Sequence, residues 1–201
     1  LYEKSDPYHL PGPGGSIDLT GCKFEDLGQG RVRVSGSRFI PSDGYWLKLE
    51  AVRLAGYRSI SVAGVRDQIM IDKIDDILKA VEVRVRDILG KDSEGSQIYF
   101  HVYGKNGVMG ELEPVKKTRS HELGIVIEVV APAQAEADAV LALARSVLLH
   151  YGYEGRIATA GNLAFPFSPS DVAMGKVYEF SIYHLMEVSD PAFFPVRIEQ
   201  V

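Results

Sequence analysis

The chain has 201 residues, 46% of them hydrophobic and 24% charged, enough apolar material for one domain or two small ones with a buried core. A formal charge of −5 with no long basic run excludes the electrostatic footprint of a nucleic-acid or anionic-membrane binder. The single cysteine, Cys22, cannot close an internal disulfide, so the fold must stand unstapled, as in the reducing cytoplasm, where we expect the protein.

Leu1-Tyr2-Glu3-Lys4-Ser5-Asp6-Pro7-Tyr8 reads as a sentence begun in the middle, and a preceding N-terminal part is expected. From His9 to Ser16 the density of proline and glycine predicts an extended or multiply turned path, either a linker or a stiff loop presenting Tyr2, Tyr8 and His9 to a neighbouring module. Arg31 to Val34 and Tyr45 to Leu54 alternate as strands, with Pro41-Ser42-Asp43-Gly44 as the turn between them, so a small antiparallel β-hairpin region is predicted within residues 1–56.

Residues 57–201 form the second predicted domain. Arg58 to Val62 alternates as a strand ended by Gly64. The apolar spacing from Ile74 through Ile77, Leu78, Val81 and Val85 predicts an amphipathic helix closed by Gly90. Ile98, Phe100 and Val102 mark a strand, and Leu123 to Val130 is apolar enough to be central and covered. Pro132 opens a second helix with the stripe Ala137, Val140, Leu141, Ala144 and Leu148, closed by Gly152. The segment Ala137 to Leu149 is too short and too interrupted, by Asp138 and Arg145, to span a bilayer. Tyr178, Phe180, Ile182 and His184 alternate as a last strand. Strand, helix, strand, strand, helix, strand is the order of a ferredoxin-like split βαβ sandwich, so the fold class is α+β.

Thr159 to Val172 fits neither helix nor strand, because Pro166 and Pro169 remove amide donors, yet Leu163, Phe165 and Phe167 are too apolar for free solvent. An ordered loop anchored by Phe165 and Phe167 is expected. Its polar residues Asn162, Ser168 and Ser170 either line a ligand cleft or serve as local backbone partners. Arg66 and Asp67, where strand hands over to helix, offer a bidentate anion donor or, alternatively, a helix cap and its ion-pair partner. Gly14 and Gly15 complete the candidate ligand-binding set, placed beside Arg66 and the Thr159 loop.

Gly104 to Gly110 lacks the spacing of a phosphate loop and reads more simply as a tight turn at Asn106-Gly107. The five histidines show no zinc spacing, and Cys22 has no neighbouring base in sequence. No metal, no cofactor and no catalytic set is assigned, and whether the chain is an enzyme stays open.

Several stretches together resemble the C-terminal half of the acyclic terpene utilisation proteins, the AtuA family: Leu1 to Tyr8, Pro11 to Thr20, Val34 to Ser37, Lys48 to Glu50, Gly64 to Asp67, and Ala160 to Asp171. That resemblance implies catabolism of branched terpenoid acids as CoA thioesters, with a larger N-terminal α/β domain ahead of the Leu-Tyr-Glu-Lys stretch. Two readings follow. In one, the chain contributes to a site for a branched acyl-CoA or related carboxylate, a small-molecule substrate; in the other, it is a non-catalytic interaction or oligomerisation module. A homo-oligomer is expected in either case, with neither nucleic acid nor membrane as partner.

Overall fold

The computed structural model describes residues 5–200, and it is α+β with mostly antiparallel sheets. Two compact units are present, Arg53–Glu179 in one and Leu1–Val52 with Phe180–Val201 in the other. The division falls within two long strands, β6 (Trp46–Val65) and β9 (Asp171–Glu187).

In the unit containing the N-terminal residues, β1 (His9–Gly12), β2 (Gly15–Asp18) and β5 (Arg38–Pro41) form an antiparallel sheet with β2 in the middle. The stretch expected as a linker or a stiff loop is therefore a hairpin. Pro11 is tolerated because β1 is an edge strand, where a missing amide breaks no interior ladder. Gly15 is obligatory for this pairing, since a Cβ there would collide with the Ile40 carbonyl oxygen. Asp18 is buried beside it and accepts from the Thr20 amide (2.8 Å), the Thr20 hydroxyl (2.5 Å) and Arg38 Nη2 (2.7 Å). Those two Thr20 bonds, then the Arg38 guanidinium, hold its carboxyl well below the usual carboxylate range.

β3 (Lys23–Gly28) and β4 (Arg31–Ser35) make a separate hairpin whose tip, Gly28-Gln29-Gly30, has positive φ throughout. Phe24 faces Val34, and Asp26 faces Val32, on one side; Glu25 and Arg33 pair at 3.0 Å on the other. The apolar side has no covering layer among the described residues, leaving Phe24 68%, Val32 60% and Val34 55% exposed.

The other unit contains α1 (Gln68–Asp72), α2 (Ile74–Leu89), β7 (Gln97–Tyr103), β8 (Leu123–Ala131) and α3 (Gln134–His150). The sheet order is β7-β8-β6-β9, so β8 is interior, as its apolar run predicts. It is antiparallel to β6 from Tyr57↔Ala131 to Val65↔Leu123 and to β7 from Gln97↔Val130 to Tyr103↔Gly124. Leu123, Ile125, Ile127, Val129 and Ala131 all point to one face, where the buried stripes of α2 and α3 join them in a single core. Each valine, leucine or isoleucine among them contributes about 1.5–3 kcal/mol on burial, and each alanine less.

Three sequence boundaries shift. Gly64 does not end its strand, because β6 continues from Trp46 to Val65 as one element. Pro132 lies just before α3 rather than inside it, and Ala133 is the cap position. β9 begins at Asp171, inside the stretch expected to be loop. The pattern at Arg58 to Val62 also hides an inversion: Ser59 and Ser61 are fully buried under the helices, while Ile60 and Val62 lie on the open face. Ser59 meets Asp138 of α3 at 2.5 Å and Gln134 Nε2 at 2.7 Å, which supplies the partners a buried hydroxyl needs. Among the described residues no helix is long and apolar enough to cross a membrane.

Candidate functional site

The Thr159 loop is fixed by its backbone and by Asn162. Gly64 and Ala164 exchange both amide-to-carbonyl bonds, at 2.7 and 2.9 Å, so the loop adds one antiparallel bridge to the end of β6. Asn162 closes α3: its amide donates to the Leu149 carbonyl (2.8 Å), and its Nδ2 to those of Leu148 (3.1 Å) and Tyr151 (2.8 Å). These carbonyls lie at the end of α3, where intrahelical donors run out, and that of Leu148 also accepts from the Tyr151 amide at 3.3 Å. Leu163 packs on the core, Phe165 is half-buried and Phe167 is 47% exposed. The second expected aromatic anchor is therefore replaced by Leu163 and the bridge. Arg145 of α3 holds the far side, with Nε 2.6 Å from Asp171 and its guanidinium 5.9 Å from the Phe165 ring centre.

This docking encloses a cleft of about 430 Å3 between the end of β6, the start of β8 and the loop. Val62, Leu123, Ala164, Phe165 and Pro166 make it apolar; Arg66 and Glu122 are its ionisable lining residues. Neither carries an ion pair among the described residues, although each lies one position beyond the last β6–β8 pair, Val65↔Leu123. An uncommitted guanidinium can take a carboxylate or phosphate bidentately, whereas Glu122 offers an acceptor and disfavours a second anion. On the floor, Gly64 and Gly124 face each other across β6 and β8.

Of the residues expected to bind ligand, Arg66 lies on this cleft, with Ala164 to Pro166 of the Thr159 loop. Asp67 is a cap, its Oδ1 accepting from the Met70 amide at 2.8 Å. Burial pushes the Tyr153 phenol up, and the charge of Asp67 adds to it. Ser168 is exposed, and Ser170 donates to Asp171 at 3.2 Å. Gly14 lies in the other unit, on a polar hollow of about 370 Å3 with Ser42 to Tyr45 and Glu187 to Ser189; Gly15 belongs to the same unit. At Gly104 to Gly110, three successive amides, from Lys105 to Gly107, converge on the Val102 carbonyl, so they are spent on a turn.

Sequence reasoning passed over one cluster. On the open face, Glu128 accepts from Arg58 Nε at 2.6 Å and meets His101 Nε2 at 2.7 Å, with Tyr99 stacked 6.5 Å from His101. A lone acid in an apolar run was the signal that could have found it. His101 opposes Val126, one open-face row from the glycine pair. Among the described residues no group of three or more His, Cys, Asp or Glu side chains is placed to hold a metal ion.

The family model described as Acyclic terpene utilisation family protein AtuA matches residues 1–167. The chain belongs to the AtuA family. No curated protein and no solved structure matches it. The AtuA match contains all the residues that line the cleft, from Val62 to Pro166, and ends before β9.

Proposed function

We propose that this AtuA-family chain contributes a binding site for a branched carboxylate or its CoA thioester in terpenoid-acid catabolism, with the acyl chain in the apolar cleft and Arg66 meeting the negatively charged or carbonyl end. The observation that carries this reading is an arginine without an ion pair among the described residues, at the edge of a cleft that is apolar apart from it and Glu122 and is walled by an anchored loop. The scaffold under it is read as a ferredoxin-like sandwich, supported by the order β7-β8-β6-β9 with α2 and α3 in one core. The test is calorimetric titration of the full chain with a branched carboxylate and its CoA thioester. Arg66→Gln should weaken binding about tenfold or more, the scale of a lost charge-assisted pair, at an unchanged Tm because Arg66 is exposed. Equal affinity in the two proteins rejects the reading.

A second reading, self-association, is favoured by the uncovered apolar side of the β3–β4 hairpin. Such a hairpin is marginal alone in water. Sedimentation as a dimer or larger, abolished by Phe24→Ser with Val34→Ser, supports it; a monomer at high concentration removes it.

A further inference from the structure

We propose that Gly64 and Gly124 lack side chains because the apolar body of the cleft's ligand lies directly on their backbone, which makes these two positions the determinants of what the cleft admits. The inference rests on the reading of the cleft as a ligand site. Glycine inside a strand costs stability, through lost chain entropy and an unpacked face, so each one needs a reason.

The fold supplies none here. Neither residue has positive φ. A Cβ built on Gly64 would sit 3.7 Å from the Ala164 carbonyl oxygen and 3.9 Å from the Ala164 Cβ, both ordinary contacts. The bridge to Ala164 uses only backbone groups, which alanine also carries. Gly124 is opposite Tyr103, and an aromatic ring laid over a glycine can compensate for its missing side chain. Yet among the described residues, chain neighbours aside, the only heavy atom within 4 Å of a Cβ on Gly124 is the Tyr103 Cβ, at 3.8 Å, so the ring does not cover it. What remains is close approach of another group. The two glycines are in register on adjacent strands and line the same cleft, so together they make a side-chain-free floor next to the Phe165–Pro166 wall and within the same lining as Arg66. A methyl on either one would fill that floor.

The test uses the full chain, with octanoate as an apolar anion and octanamide as its neutral counterpart, followed by calorimetry and by the amide NMR shifts of residues 64 and 124. Gly124→Ala and Gly64→Ala should leave Tm unchanged or raised, and weaken octanoate binding about tenfold or more, the scale of one misplaced methyl group in an apolar pocket. Gly152→Ala, which fills open space outside the cleft, should change neither. Wild-type affinity in both cleft variants, or a lowered Tm in either, assigns the glycines to the fold and overturns the proposal. Should octanoate and octanamide bind alike and Arg66→Gln alter neither, while the glycine variants still lose affinity, the carboxylate reading fails and the floor stands. If neither probe shifts the two amides in the wild type, both fall.

Discussion

Between Arg53 and Glu179 a sheet is backed by helices, and every member of the main core, from Val65 to Leu148, belongs to that unit. In the unit built from Leu1–Val52 and Phe180–Val201, the buried described residues are Gly15, Asp18 and Val188, although β-structure is abundant. The difference shows that strand pairing alone does not make a core: a sheet needs a second layer to remove its apolar side chains from water. The first unit rests on packing, the second on backbone ladders and polar pins such as Asp18.

That contrast can be broken in four places. Leu141→Ala, at a fully buried position of α3, should cost about 2–5 kcal/mol in a denaturant melt; a cost below 1 kcal/mol would deny the helical layer its role. Asn162→Ala removes the side-chain bonds to the Leu148 and Tyr151 carbonyls at the end of α3 and should cost about 1–3 kcal/mol, with ligand affinity falling in parallel because the cleft wall moves with the loop. If affinity falls while stability holds, Asn162 is a ligand contact instead of a brace.

Acid should act on the other unit. The Asp18 carboxyl is depressed in the fold, so its stabilisation is complete above the ordinary value of 3.8 and is lost as pH drops below that toward the folded value. Thermal melts should therefore show a decline at low pH that Asp18→Asn flattens; parallel curves for the two proteins would remove the pin. The smallest effect is expected from Phe24→Ala, within about 0.5 kcal/mol for a monomer, because that side chain is already in water. A larger loss that grows with protein concentration would show that the hairpin is covered in solution.

Legibility in the sequence follows the same divide. α2, α3 and the interior place of β8 were readable, since their apolar periods are long and uninterrupted. Within β8 that very continuity masked Gly124 and Glu128, whose meaning depends on partners in β6 and β7. β1 and β2 were obscured by Pro11, Pro13 and three glycines, which signal turns locally but are accommodated at an edge strand and at the close Gly15–Ile40 crossing. The Thr159 loop was recognisable as ordered. Its means of attachment was not, because a bridge between Gly64 and Ala164 carries no side-chain signature, and Asn162 reads alike as ligand contact or helix brace until its neighbours are known.

The Gly64–Ala164 bridge also gives the cleft a built-in clock. Both amides are tied only to each other's carbonyls across the loop, so neither can exchange its hydrogen with solvent until the loop lifts from β6. Their deuterium uptake therefore reports how often the wall opens, independently of global unfolding read from the Ile125 and Ile127 amides. A ligand that needs the wall in place must slow the two amides together and by the same factor.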